Sequence, residues 1–65
     1  MTFGEVLHKL QSESGLTQAQ VAERINMDQG NYCRLLKAED MMCSTFKKVC
    51  EELGYDMDEA CQLLK

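Results

Sequence analysis

The sequence predicts an all-α domain built from five short helices, and three observations lead there. Apolar residues recur three and four positions apart in the main segments, and no stretch shows the two-residue alternation of a half-buried strand. Each segment also opens or closes on a residue that caps or breaks a helix. With 65 residues, the chain reads as a single domain, 1–65, near the lower size limit for a self-sufficient core. A fold of this size buries only about 60% of its unfolded surface. A hydrophobic content of 45% can fill such a core, and self-association would add stability.

The elements follow in order. Phe3, Val6, Leu7 and Leu10, with Glu5, His8 and Lys9 between them, form the apolar stripe of a helix over about 2–13. Ser14-Gly15 breaks it. Thr17 with Gln20 three residues on is a capping box, in which each partner's side chain satisfies the other's backbone N–H. It opens a helix over about 18–25 whose apolar face is Val21, Ala22 and Ile25. Asn26 tolerates the left-handed backbone that a sharp exit needs. Asp28 is placed to cap the next helix by accepting from a backbone N–H near residues 30 or 31. From that helix Tyr32, Leu35 and Leu36 point inward, with the Tyr32 hydroxyl expected at the rim.

"KAEDMMC" reads as a loop. A fourth helix starts at or near Ser44, carries Phe46, Val49, Cys50 and Leu53, and stops at Gly54. Asp56 or Asp58 then caps a short fifth helix bearing Met57, Ala60, Cys61 and Leu64.

Several classes of function find no support. "MTFGEVLHKL" interrupts its apolar residues too often for a signal peptide or a membrane span, so a cytoplasmic protein without membrane contact is expected. Reduced thiols follow, with Cys33, Cys43, Cys50 and Cys61 acting as small buried hydrophobes. They form no CxxC pair and His8 is the only histidine, which argues against a zinc site and leaves no metal or cofactor implied. No nucleophile–base pair points to an enzyme.

The segment "TQAQVAERINMDQGNYCRLL", residues 17–36, sets two short helices at a fixed offset. With "GLTQAQVAERI" before the turn and "LGYDMDEA" leading into the last helix, the chain resembles the Cro and lambda-repressor type of helix-turn-helix protein, the xenobiotic-response-element-like family. The resemblance runs from about Val6 to Leu64 and rests on Gln18, Ala22, Met27, Tyr32 and Leu35 at the family's spacing. It implies a compact five-helix lambda-repressor-like domain with its helix-turn-helix at about 17–36, binding double-stranded DNA.

Under that resemblance Gln18 holds a phosphate and can brace Gln29, while Gln29, Gly30, Asn31 and Arg34 occupy the outward positions of the recognition helix. Amide side chains suit this task because their N–H and C=O can match N6 and N7 of adenine. Lys37 and Lys47 are the expected phosphate contacts. Ala22 must be small where the two helices cross. Arg34 has a second possible partner in Glu39 or Asp40 as a surface ion pair.

Charge divides the possible functions. The net charge is -4, yet residues 17–48 hold five bases against four acids, while from Val49 onward Lys65 faces five acids. The chain departs from the family in carrying Asn26 where glycine is usual. It also carries "KAEDMMCS" where glycine, basic residues and proline often follow the recognition helix. Glu39-Asp40 in that loop would repel a phosphate backbone and weaken monomer binding. Two readings result. One is a small repressor that binds a palindromic operator as a homodimer joined through its C-terminal third, using Met57, Cys61 and Leu64. The other is a protein-binding module of the same fold (an antirepressor, antitoxin-like partner or adaptor) whose acidic surface makes the contact.

Overall fold

The computed structural model describes residues 1–64, and among them the chain forms five α-helices and no strand. They are α1 (Phe3–Ser14), α2 (Gln18–Arg24), α3 (Gln29–Leu36), α4 (Cys43–Glu52) and α5 (Met57–Gln62). Helix α2 packs on α3, α1 packs on α3 and α4, and α5 packs on α4.

Local chemistry sets the helix ends. Helix α1 starts one residue later than the apolar pattern suggests because Thr2 is its cap. The Thr2 hydroxyl accepts from the Glu5 N–H at 3.2 Å, and the Glu5 carboxylate accepts from the Thr2 N–H at 2.8 Å. That bond to the Thr2 backbone holds the Glu5 carboxyl below the usual carboxylate range. Sequence reasoning did not read this first capping box. It did read the second, and Thr17 and Gln20 exchange the same two bonds at 2.9 and 3.2 Å.

At the end of α2 the Asn26 N–H donates to Glu23 O and the Met27 N–H to Ala22 O, with Asn26 at φ 56°. This is a Schellman ending, and it turns the chain toward α3. The end of α4 repeats it: Gly54 donates to Glu51 O and Tyr55 to Cys50 O, with Gly54 at φ 86°. Asp28 caps α3 as expected, accepting from the Gly30 N–H at 3.0 Å.

Helix α4 begins at Cys43, beside the expected Ser44, from a Met42 cap that offers no side-chain bond. Two expectations are corrected. Asp56 stands at the cap of α5, but its carboxylate accepts no hydrogen bond from the helix, and Asp58 lies inside the first turn. The larger correction concerns Tyr32. Its hydroxyl is not at the rim: the whole side chain is buried, and the hydroxyl donates to Gln11 Oε1 at 3.1 Å.

The core gathers Val6, Leu7 and Leu10 of α1, Val21 and Ala22 of α2 with Ile25 just beyond it, and Tyr32 and Leu36 of α3. Phe46, Val49 and Cys50 of α4, then Leu53 and Ala60, complete it. Phe3 meets Phe46 edge-to-face at 5.0 Å, a favoured aromatic arrangement. From α5 only Ala60 is fully buried, while Met57 and Cys61, with Leu63 and Leu64 just beyond the helix, lie half-buried against the core.

Gly4 brings α1 close against the end of α3, and its N–H donates to the Ala38 carbonyl just beyond that helix at 3.0 Å. A Cβ at Gly4 would collide with the carbonyl oxygens of Leu36 and Ala38. Backbone, not a flexible side chain, fills that space. Burial raises two acid groups in this core. The Tyr32 hydroxyl is pushed up to about 12, with a smaller contribution from Cys50. The Cys50 thiol is pushed up to about 11, with a smaller contribution from Cys61.

Two outcomes follow from this packing. Gly4→Ala should lower stability by about 1–3 kcal/mol through overpacking. Gly15→Ala, which meets no atom but sits at φ 78°, should lose about 1 kcal/mol through backbone strain alone. Urea midpoints measure both, and a Gly4→Ala midpoint equal to wild type would mean that α1 does not approach the end of α3.

The second outcome concerns alkali. Both groups are neutral when protonated, and the folded state holds their protons more tightly than the unfolded chain does. Their contribution is therefore complete below the unfolded values of about 8.5 and 10 and is lost as pH rises through about 11 and 12. The urea midpoint should stay level near neutral pH and fall above about pH 8.5. Cys50→Val should remove the earlier part of that fall, and a variant falling as early as wild type would assign it elsewhere.

Candidate nucleic-acid interface

Helices α2 and α3 are joined by the turn at residues 25–28, and each residue singled out in the sequence can now be placed. Gln18 is the first residue of α2, half-buried and directly after the Thr17 cap. Gln29 is the first residue of α3 and is exposed, as are Gly30, Asn31 and Arg34 along it and Lys37 at its end. Tyr32 and Leu36 are buried and Leu35 is half-buried, so α3 has a core side and an opposite solvent side. Five of the seven expected contact residues thus lie along one exposed helix, with Gln18 near its partner helix's start.

Lys47 stands on a different helix from those five. It lies on α4, which packs chiefly on α1 and α5, and its ammonium reaches Glu51 at 3.9 Å. An exposed pair of this kind contributes little to stability, so it does not commit the lysine. Lys9 and Glu13 form the other ion pair among the described residues, at 3.3 Å. Arg34 therefore pairs with neither Glu39 nor Asp40, the alternative the sequence allowed. The expected brace is missing too: no hydrogen bond joins Gln18 to Gln29 among the described residues.

Gly30 serves two needs. Its N–H takes the Asp28 carboxylate, and a Cβ there would sit 3.1 Å from that oxygen, closer than a side chain comfortably comes. The same missing side chain leaves the surface of α3 open beside Gln29 and Asn31. Asp28 also puts a negative charge at the N-terminus of α3, where the helix dipole welcomes it. An incoming phosphate would be repelled from that end. Contacts of α3 with a polyanion must therefore come from its side chains.

The sequence pattern of Cys33 was read only as that of a small buried hydrophobe. Cys33 stands one turn after Gln29 and Gly30 and one turn before Lys37, half-buried at the margin of the exposed strip. The i+4 spacing from Gln29 and to Lys37 was the available signal, and treating the four cysteines as one buried set hid it. They are not alike: Cys50 is buried, Cys33 and Cys61 are half-buried, and Cys43 is exposed, all as free thiols.

Around the site lie features of different character. In the loop after α3, Glu39 and Asp40 are exposed, and Asp40 accepts from the Met41 N–H at 2.9 Å. Met42 and Met1 are the large apolar side chains most open to solvent, at 73% and 51%. On α2 an open polar depression is lined by Gln20, Glu23 and Arg24. Among the described residues no three His, Cys, Asp or Glu side chains gather as metal ligands, and no helix is long and apolar enough to cross a membrane.

No family model, curated protein or solved structure matches this chain.

Thiol accessibility offers a check on this placement. A thiol-specific reagent at neutral pH should modify Cys43 first, Cys33 and Cys61 more slowly, and Cys50 only at the rate of unfolding, because burial both screens it and keeps it protonated. Peptide mapping at early times measures the order. Modification of Cys50 as fast as Cys43 would refute the docking of α4.

Proposed function

We propose that the protein is a sequence-specific DNA-binding regulator of the helix-turn-helix type, with α3 entering the major groove. One observation carries this reading. The solvent side of α3 presents Gln29, Gly30, Asn31 and Arg34 in succession, with Lys37 at its end. The side chains of this set make no hydrogen bond or ion pair among the described residues. Two amides and a guanidinium on an exposed helix are groups that can read base edges. Arg34 and Lys37 add the positive charge that a phosphate backbone requires. Gln18, at the start of α2, supplies a phosphate contact next to them.

On this reading the chain acts in the cytoplasm as a repressor, occupying a palindromic operator as a homodimer. Two recognition helices must then lie about 34 Å apart, one turn of DNA. The half-buried Met57 and Cys61 on the six-residue α5, with Leu64 just beyond it, give the C-terminal third more apolar surface than one buried alanine requires, which supports a partner copy there. A second reading draws on the loop after α3. Exposed Glu39 and Asp40, with a net charge of -4, favour a protein-binding module that uses the acidic surface.

Selection from a random DNA pool at low and at physiological salt separates the two. Enrichment of a palindrome is expected for the regulator, and no enrichment at either salt favours the protein-binding module. With a selected site in hand, Gln29→Ala should change the preference among half-site variants, because amides read bases. Lys47→Ala should weaken all variants alike and lower the salt slope by about 1, because lysine meets phosphate. Preference left untouched by Gln29→Ala would remove α3 from the groove.

A further inference from the structure

We propose that Gln11 is a positioning residue that fixes α2 and α3 relative to each other, and through that geometry sets the sequence selectivity of the exposed face of α3. The second half of this proposal rests on the reading of α3 as the groove-facing helix.

Gln11 is the buried polar side chain of the core, 9% exposed. It makes two bonds in two directions. Its Oε1 accepts from the Tyr32 hydroxyl at 3.1 Å, and its Nε2 donates to the Leu16 carbonyl at 3.3 Å. Leu16 directly precedes Thr17, the cap of α2, and Tyr32 stands in the middle of α3 between Asn31 and Cys33. A single amide on α1 thus fixes where α2 begins and how α3 is rolled about its axis. Gln18 follows the first anchor by two residues, and Asn31 and Arg34 flank the second.

The residue type is demanded by this pair of bonds. The Tyr32 hydroxyl needs an acceptor and the Leu16 carbonyl needs a donor, and an amide carries both at its tip. Leucine would offer neither. A glutamate would offer acceptors only and bury a charge, and lysine or arginine would offer donors only. Apolar contacts hold α3 on the core, but they are non-directional. Hydrogen bonds have preferred angles, and a recognition surface must be held to about 0.5 Å and 10–20° to act. With its value at about 12, the Tyr32 hydroxyl remains a donor throughout the neutral range.

The test compares Gln11→Leu and Tyr32→Phe with Val49→Ala, a buried change on α4 that removes core volume without touching either bond. Tyr32→Phe keeps the ring in place and serves where Gln11→Leu fails to fold. All are assayed at a temperature where each is fully folded. The first measurement is the ratio of affinities for a selected palindrome and its single-base-pair variants. Gln11→Leu and Tyr32→Phe should lower the ratio about five- to tenfold, the low end of what one good base contact discriminates, while Val49→Ala leaves it unchanged. A ratio untouched in the first two, or lowered equally by Val49→Ala, overturns the proposal.

The second measurement is amide hydrogen exchange without DNA. Gln11→Leu should speed exchange in the first turn of α2 and in α3 more than in α4, and a uniform increase across all helices overturns the positioning role. If wild type selects no DNA sequence, the functional reading fails by itself, and exchange still decides whether Gln11 positions the two helices.

Discussion

The fold depends on the seam between α1 and α3. At one end Gly4 lets the backbone of α1 approach the carbonyls that close α3, and its N–H satisfies Ala38 at 3.0 Å. At the other end Gln11 bonds the Tyr32 hydroxyl inside the core. The two anchors lie seven residues apart on α1, about two turns, and hold α3 antiparallel to it. Between them Leu7 and Leu36 are buried. Because α2 packs on α3 and its entry is bonded to the same Gln11, the placement of the two-helix unit follows from this seam. No buried side-chain nitrogen or oxygen among the described residues lacks a partner, so polar atoms enter this core only where both ends of the bond are supplied.

Whatever depends on neighbours in sequence was legible from the sequence. The 3.6-residue stripes located all five helices, because an apolar stripe must meet the core wherever it finally packs. Thr17–Gln20, Asn26 and Asp28 could be read because their bonds close within a few residues. The first capping box was equally local, but the reading began at the apolar Phe3 and passed over Thr2. Legibility failed where partners are far apart. Gln11 and Tyr32 are 21 residues apart, and nothing near either one announces the other. The collision awaiting a Cβ at Gly4 involves carbonyls more than 30 residues away, so nothing near the glycine in sequence announces it.

For the candidate interface, the sequence identified the exposed strip of α3 but not the relation of α4 to it. Helical spacing gives exposure within one helix, which is why Gln29, Asn31 and Arg34 fall where expected. It cannot give the angle between two helices. Lys47 was assigned by charge and position in the chain, and it stands on α4, which packs on α1 and α5 and, less, on α2. Cys33 shows the converse. Its spacing was available, but grouping it by residue type overrode its place on the helix.

The acidity of the chain is partly explained by what the helices themselves require. Helix α5 has no side-chain cap bond, and its first turn carries Asp58 and Glu59 beside Asp56. Carboxylates at that end interact favourably with the helix dipole, each contributing about 0.3–1 kcal/mol, so three of the five acids after Val49 help hold a six-residue helix that little else caps. Glu5 does the same for α1 and Asp28 for α3. Glu51 and Glu52 sit at the unfavourable end of α4; Glu51 is offset in part by Lys47, and nothing in the structure accounts for Glu52. Apart from Asp28, these charges stand on elements other than α3, in a molecule 28 Å along its longest axis, where salt screens exposed charges over about 8 Å at physiological strength. Net charge is therefore a poor guide to the potential at α3, where Arg34 and Lys37 are opposed by Asp28, Glu39 and Asp40 at the two ends of the helix. The balance there, not the total of -4, decides whether a polyanion can approach.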